Sequence, residues 1–223
     1  MTTTQFWGDY AQTKPSPRET NAAGERTWFN WTQYPEHGPD EEILRRQGFG
    51  MPERALELGC GSGRNIAHLA TRGVTSVGLD LSDVQISRAR VKWGDVERLH
   101  FVHTEATEFL RRAEDRFDAV FSIFGGLWFT DPAVLLPLVH ERLNAGGVLA
   151  FSHAPAIEGC YGPQGAYKGA FAGDPPILRR WAYTPQMWTG ILLNYGFMDV
   201  SAVVLSAPHA GDLGTLLVRA VRI

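Results

Sequence analysis

Residues 55 to 65 read Ala55-Leu56-Glu57-Leu58-Gly59-Cys60-Gly61-Ser62-Gly63-Arg64-Asn65, and this stretch decides the fold. Its mostly apolar beginning predicts a strand, and the residues that follow it have a pattern typical of a helix start. The three glycines between them suit a turn at positive φ, or a ligand that approaches the main chain too closely for a Cβ. Amides at a helix N-terminus would face that ligand. The stretch therefore predicts a strand, a turn and a helix around a nucleotide-like ligand.

The spacing of the glycines narrows the choice of ligand. A dinucleotide site expects Gly-x-Gly-x-x-Gly, but the third glycine comes one place early, at Gly63, and Arg64 takes the final position. Glu57 lies inside the strand, where its carboxylate would repel a pyrophosphate and would suit a ligand with an ammonium group. A pyrophosphate site is therefore disfavoured.

The stretch resembles the first motif of the class I S-adenosylmethionine-dependent methyltransferases, in which an acid is followed by three alternating glycines. The resemblance implies S-adenosyl-L-methionine as the cofactor. It places Glu57, or its backbone neighbours, at the ammonium group of the methionine part and Arg64 near the carboxylate. The turn residues that it assigns to the cofactor are Gly59, Cys60, Gly61 and Gly63.

Length and composition limit the class of protein. The 223 residues, 44% apolar and 20% charged, fit a globular chain of one domain, or of one domain with a small appendage. A net charge of -3 without a Lys/Arg run argues against a nucleic-acid partner. No stretch reaches the roughly 20 apolar residues of a membrane span, and the N-terminus does not look like a secretory signal. We expect a cytoplasmic monomer or homodimer that contacts neither nucleic acid nor membrane and, from the spacing of its two cysteines, holds no metal.

Strands and helices alternate from Pro52 onward, which predicts a parallel sheet with helices on both faces. After the opening strand, the pattern predicts strands at 75–81, 99–103, 117–124 and 148–152. The chain ends in two runs rich in Val and Leu, at 197–205 and 214–223, that predict a hairpin. The expected fold class is α/β, a doubly wound seven-stranded sheet, mostly parallel, with one antiparallel strand from the C-terminal hairpin. The hairpin is also what the family resemblance implies for a methyltransferase domain over 51–223.

Two segments outside this alternation are interpreted as substrate-binding. Residues 1–50 are dense in aromatic side chains and read as a lid of helices and loops, with a helix over 39–47 and with Trp31 and Tyr34 as substrate contacts. Residues 154–183 are rich in Gly and Pro and read as a structureless insert at the sheet edge where α/β proteins bind ligands. The insert contributes Tyr161 and Tyr167 as predicted substrate contacts.

Further cofactor contacts follow from the strand ends. Asp80 closes the second strand, where a carboxylate can accept hydrogen bonds from both ribose hydroxyls. The segment 101–106 resembles the family's third signature, with Glu105 in place of the usual aspartate at the adenine amino group. The alternative for Glu105 is an acid placed at a helix N-terminus. The resemblance adds cofactor contacts at Leu81, Ala106 and Phe124, and substrate contacts at Gly125 and Trp128.

The chemistry implied by the resemblance is an in-line displacement at a sulfonium methyl group, so positioning contributes most. A hydroxyl or protonated amine acceptor also needs a base, and His153, at the end of the fifth strand, is the predicted catalytic residue.

The predicted function is methyl transfer to oxygen, nitrogen or carbon of a small molecule, such as a specialised metabolite. Three alternatives stay open: a peptide or protein methyltransferase, a nucleotide-dependent oxidoreductase or epimerase on a related sheet, and a non-enzymatic S-adenosylmethionine-binding partner.

Overall fold

A computed structural model describes residues 2–13, 19–166 and 178–223. The strands, in chain order, are β1 (Arg54–Leu58), β2 (Thr75–Asp80), β3 (Leu99–His103), β4 (Phe117–Ile123), β5 (Leu143–His153), β6 (Gly162–Ala166), β7 (Leu178–Ala182), β8 (Phe197–Leu205) and β9 (Thr215–Arg222). The helices are α1 (Thr3–Thr13), α2 (Arg64–Thr71), α3 (Asp83–Trp93), α4 (Ala106–Arg112), α5 (Gly126–Phe129), α6 (Pro132–Arg142) and α7 (Pro185–Asn194).

Seven of the strands form one sheet in the order β3-β2-β1-β4-β5-β9-β8. Strands β1 to β5 pair in parallel, whereas β9 is antiparallel to both β5 and β8. The predicted fold class is thereby confirmed, including the antiparallel strand from the C-terminal hairpin. Because β1 and β4 are central neighbours, the turns that follow them meet at the same edge of the sheet.

Each face of the sheet is covered by its own hydrophobic core. Helices α4, α6 and α7 bury side chains such as Leu110, Leu135 and Trp188 on one face. Helices α2 and α3 bury Ile66 and Trp93 on the other. No helix in the described part of the chain combines the length and the apolar character that crossing a bilayer would require.

Three sequence-based expectations about local structure are corrected. The helix expected over 39–47 is a single 3-10 turn, Glu41–Leu44, capped by the Asp40 carboxylate. The fifth strand begins at Leu143 rather than at residue 148, because Leu143 already pairs with Phe117 of β4. An irregularity in the register separates this pair from the next one, Ala119 with Val148. The insert is not structureless, since β6 and β7 pair as an antiparallel two-stranded sheet.

Candidate active site

The turn between β1 and α2 depends on its glycines. Gly59, Gly61 and Gly63 all have positive φ, at 78°, 53° and 79°. A Cβ on Gly63 would lie 2.5 Å from the ring of Phe101, whereas one on Gly61 would meet no atom within 4 Å. The amides of Gly59 and Cys60 both donate to the Leu79 carbonyl, at 2.9 and 2.8 Å. The turn is thus fixed to β2 and leaves open space at Gly61.

A second glycine turn, at Gly125 and Gly126 after β4, packs directly against the first. A Cβ on Gly59 would lie 2.5 Å from the Gly126 nitrogen, and one on Gly125 would lie 2.5 Å from the Leu58 carbonyl oxygen. Only glycine permits an approach this close. Phe124, immediately before this pair, has φ 48°, a conformation that costs a bulky residue of the order of 1–3 kcal/mol.

A cavity of about 520 Å³ lies above these two turns, at the carboxyl ends of β1 to β4. It brings together most of the residues that the sequence assigned to the cofactor: Glu57, Gly59, Cys60, Gly61, Arg64, Asp80, Leu81, Glu105, Ala106 and Phe124. Gly125, a predicted substrate contact, also lines it. Gly63 is the exception among the turn residues, because it lies beneath Phe101 and does not face the cavity.

Glu57 is the most perturbed acid of the cavity. Its side chain is buried, and burial raises its pKa from 4.5 to about 8, against smaller opposing contributions from the Ile66 amide and Arg64. Within the described residues, its Oε2 atom has no hydrogen-bond partner. The Arg64 guanidinium lies 4.0 Å above the centre of the Trp28 ring. A cationic ligand group would satisfy Glu57 and favour its ionised form.

Asp80 is held in place by the backbone. Its two oxygens accept hydrogen bonds from the amides of Gly61 and Ser82, each at 2.8 Å. Burial raises the pKa of this carboxyl, and the hydrogen bonds from Ser82 and Gly61 oppose the rise. A carboxylate fixed in this way at the end of β2 retains lone pairs for two further donors, as a ribose presents.

Glu105 differs from its expected role. Its carboxylate caps α4 by accepting a hydrogen bond from the Glu108 amide at 3.1 Å, and it also accepts one from the Thr107 hydroxyl. The reason is geometric, because residue 105 is the N-cap of α4, where carboxylates bond to the free amides of the first turn. Glu105 therefore lines the cavity with one carboxylate oxygen, Oε2, engaged by its own helix, which is the helix-capping alternative that the sequence allowed.

Trp31 and Tyr34 lie away from the cavity, contrary to the expectation of substrate contacts. Trp31 is fully buried in the core beside Phe121, with its indole N–H donating to the Asp40 carbonyl at 2.9 Å. The Tyr34 hydroxyl donates to the Leu213 carbonyl at 2.8 Å. Both rings are used to pack the N-terminal segment onto the domain.

His153 also lies off the cavity, behind the short helix α5. Its ring stacks on Trp128 at 5.3 Å with an interplanar angle of 4°, and Nδ1 is 2.7 Å from the Ala154 carbonyl oxygen. Burial lowers the pKa of His153 to about 4, with a smaller contribution from the charge of Arg180. The imidazole is thus neutral at neutral pH and touches Trp128 rather than the cavity, so the position expected of a general base is corrected.

Trp128 and Tyr161, two further predicted substrate contacts, are not among the residues that line the cavity. Trp128 packs behind it against Phe124 and Phe129, at ring distances of 5.9 and 5.0 Å. Tyr161 is 40% exposed and is not among the residues that line the cavity. Tyr167 lies outside the described residues.

Helix α1 supplies a wall of the cavity that sequence reasoning did not assign. Thr3, Trp7 and Tyr10 line the cavity, and Trp7 packs edge-on against Phe129 at 4.8 Å. Arg88 of α3 holds the helix by donating to the Ala11 carbonyl at 2.5 Å. The recurrence of large aromatic residues at positions 7 and 10, one helical turn apart, was the available signal.

Comparison with known proteins agrees with this geometry. Residues 55–147 match the family model described as "Methyltransferase domain". Among curated relatives, malonyl-acyl-carrier-protein O-methyltransferase 1 of Ilyobacter polytropus is 28% identical over 131 residues, covering 58% of this chain and 48% of that protein. Trans-aconitate 2-methyltransferase of Methylobacterium radiotolerans is 33% identical over 114 residues, covering 50% and 42%. The chain thus spans about half the length of the curated relatives that it matches.

Among solved structures, the fold resembles 1,6-didemethyltoxoflavin-N1-methyltransferase of Burkholderia thailandensis, determined with its substrate and S-adenosylhomocysteine bound. The TM-score is 0.60 at 22% sequence identity, with 76% of this chain and 70% of that chain covered. At this level of identity the likeness establishes the fold.

Proposed function

We propose that the chain, whose residues 55–147 match the methyltransferase domain model, transfers a methyl group from S-adenosylmethionine to a small molecule. One observation carries the proposal. A single cavity contains a buried carboxyl group, Glu57, whose Oε2 atom has no hydrogen-bond partner among the described residues, and a second carboxylate, Asp80, held by two backbone amides beside a glycine turn. The first fits an ammonium group and the second fits a ribose, and S-adenosylmethionine carries both.

The residues of the cavity fit the donor as follows. Glu57 and Arg64 would bind the ammonium and carboxylate groups of the methionine part. Asp80 would accept hydrogen bonds from the ribose hydroxyls, while Leu81 and Ala106 would contact the adenine. The space in front of Gly61 lets a ligand approach the main chain.

When bound, S-adenosylmethionine would supply an electrophilic methyl group on a sulfonium, whose carbon–sulfur electrons would remain on sulfur, and the proton of an O–H or N–H acceptor would pass to water. The chain's contribution is to align the acceptor behind that methyl group, which is an entropic effect. The turn at Gly125 and Gly126 lets the acceptor come close. His153 is buried against Trp128, and we therefore assign the chain the task of holding the acceptor and no proton transfer through His153.

The test is a titration of the protein with S-adenosylhomocysteine and, separately, with NADH. We expect S-adenosylhomocysteine to bind and NADH to bind at least about tenfold more weakly. Asp80→Asn should weaken S-adenosylhomocysteine about tenfold or more, as the loss of a charge-assisted hydrogen bond implies. Asp83→Asn is the matched control, since Asp83 is an exposed acid three residues away and does not line the cavity.

Catalysis is tested with methyl-labelled S-adenosylmethionine and fractions of a small-molecule extract. Label should move into a low-molecular-weight fraction in the presence of the protein. Preferential binding of NADH would replace the proposal by a nucleotide-dependent oxidoreductase. Binding of S-adenosylhomocysteine without label transfer to any fraction would favour a non-enzymatic binding protein, and transfer into the peptide fraction would favour a peptide methyltransferase.

A further inference from the structure

We propose that the methyl acceptor is a flat, uncharged aromatic or heteroaromatic compound that presents a hydroxyl or an amine. The proposal rests on the proposed methyl transfer and names the substrate class of the same cavity. It is carried by the unequal distribution of charge and of aromatic rings between the two ends of that cavity. We call the part formed by Trp7, Phe124 and Phe129, with Tyr10 beside it, the aromatic end.

The charged side chains of the cavity come from the ends of other strands than the rings Phe124 and Phe129, which follow β4. Among the described residues that line the cavity, these are Glu57, Arg64, Asp80 and Glu105, which follow β1, β2 and β3. Among the described residues that line the aromatic end there is no Lys, Arg or His, and the nearest cation described behind it is Arg180, 5.5 Å from the centre of the Trp128 ring. The polar groups of the aromatic end are the hydroxyls of Tyr10, Thr3 and Thr130. Three carboxyl groups and one guanidinium line the cavity, so Arg64 is the one cationic side chain among the described lining residues.

A carboxylate on an acceptor held at the aromatic end would therefore have no cationic partner among the described residues that line that end. Removing an anion from water without such a partner is costly, and the cost is greater in the field of other acids. A di- or tricarboxylate acceptor does not fit the aromatic end on these grounds. An uncharged acceptor avoids both penalties.

The rings of the aromatic end are arranged as walls. Trp7 of α1 meets Phe129 of α5 edge-on, at 4.8 Å and 72°. Behind them Trp128 contacts Phe124 and Phe129 on one side and stacks on His153 on the other. His153 thus acts as a positioning residue for the wall, through Trp128.

Flat ring surfaces are the partners that such walls select, because offset-stacked and edge-on aromatic pairs gain more than their buried area alone provides. The backbone at Phe124 supports the same conclusion. It is held at φ 48°, a conformation that a phenylalanine adopts at a cost, and a ring held there at the end of β4 faces the cavity.

Transfer to such an acceptor needs no charged side chain at the aromatic end. The lone pair of the hydroxyl oxygen or amine nitrogen forms the bond to the methyl carbon, and the carbon–sulfur pair remains on sulfur. The O–H or N–H proton passes to water at the cavity mouth, where Tyr10 is 41% exposed.

The test measures binding to the protein saturated with S-adenosylhomocysteine by calorimetry, using three probes built on the same two-ring carbon skeleton. These are 2-naphthol, 3-hydroxy-2-naphthoate, which adds a carboxylate to the same ring, and decahydro-2-naphthol, which removes its flatness. We expect 2-naphthol to bind about tenfold or more tightly than either of the others. The affinity for S-adenosylhomocysteine is measured separately, so that loss of donor binding is recognised as failure of the proposed function.

Substitutions at the aromatic end test whether 2-naphthol binds there. Trp7→Leu and Phe129→Leu should each weaken 2-naphthol about tenfold while leaving S-adenosylhomocysteine within about threefold. Phe6→Leu is the matched control, because Phe6 is a neighbour of Trp7 on α1 that does not line the cavity. Phe124→Gly removes a ring of the aromatic end and also relieves the strain of a phenylalanine at positive φ. The variant should therefore bind 2-naphthol more weakly without a fall in the midpoint of thermal unfolding.

Two outcomes would overturn the inference while leaving methyl transfer intact. One is binding of 3-hydroxy-2-naphthoate at least as tight as that of 2-naphthol. The other is binding of S-adenosylhomocysteine with equal or undetectable affinity for all three probes. Turnover of trans-aconitate with a KM as low as that for 2-naphthol would be equally decisive against it.

Discussion

Binding of S-adenosylhomocysteine at pH 7 should expel nearly one proton from Glu57. Burial raises the pKa of this carboxyl to about 8 in the free protein, so about 0.9 of the molecules carry the proton at pH 7. An ammonium group placed against the unpartnered Oε2 atom favours the ionised form, and the proton must leave as the ligand enters. The expected release is about one proton at pH 6, about 0.9 at pH 7 and about 0.5 at pH 8. Affinity should accordingly improve about tenfold between pH 6 and pH 7.

The assay is calorimetry in two buffers of different ionisation enthalpy, phosphate and Tris, at each pH. The difference between the observed heats gives the number of protons released. Glu57→Gln should abolish that difference and weaken binding most at pH 8, where the wild-type carboxylate is half ionised. Glu53→Gln, at an exposed acid just before β1, is the control and should behave as wild type. Equal heats in both buffers for the wild type at pH 7 would refute the reasoning, because the ligand would then leave the protonation of Glu57 unchanged.

Three further variants report on the frame around the site. Gly59→Ala places a Cβ 2.5 Å from the Gly126 nitrogen at a φ of 78° and should cost about 2–4 kcal/mol of unfolding free energy in urea; a loss below about 0.5 would contradict the close packing of the two turns. Because burial lowers the pKa of His153 from 6.5 to about 4, its contribution to stability is complete above pH 6.5 and is lost as the pH falls to 4. This amounts to about 3 kcal/mol, and His153→Phe should flatten that part of the stability profile. Asp118→Asn leaves the buried Arg46 guanidinium, 2.9 Å from the Asp118 carboxylate, without its anion and should cost about 3 kcal/mol in thermal denaturation, partly restored by a second change, Arg46→Met.

The donor side of the cavity could be predicted because it is encoded locally. Glu57, Asp80 and Ala106 each stand at or just after the end of a strand, and parallel strands bring those ends to one edge of the sheet. The alternation of apolar runs and helix patterns was strong enough to place β3 and β8 at their observed bounds. For Glu105 the sequence left two partners open, an adenine and the first turn of the following helix. In the structure Glu105 is the N-cap of α4 and bonds to that turn.

The rest required contacts between distant parts of the chain. Trp31 and Trp7 belong to the same aromatic-rich segment, and nothing local distinguishes the ring that enters the core from the ring that faces the cavity. The pairing of β6 with β7 joins residues on either side of an eleven-residue interval, and neither strand has a strong propensity of its own. In both cases tertiary packing decides the outcome, and neither the propensity of single residues nor the periodicity of the sequence reports on tertiary packing.

The residues that line the cavity belong to two parts of the chain, one inside and one outside the region that matches the methyltransferase family model. The matched methyltransferase domain, residues 55–147, contains all of the charged groups that line the cavity and most of its glycines. It excludes α1, and therefore the Trp7 wall of the aromatic end. Substitutions in α1 could change the acceptor without disturbing Glu57 or Asp80, because the two ends share few residues. Under the proposal, the donor site lies within the part of the chain that matches the family model, whereas α1, which we propose as a wall for the acceptor, lies outside it.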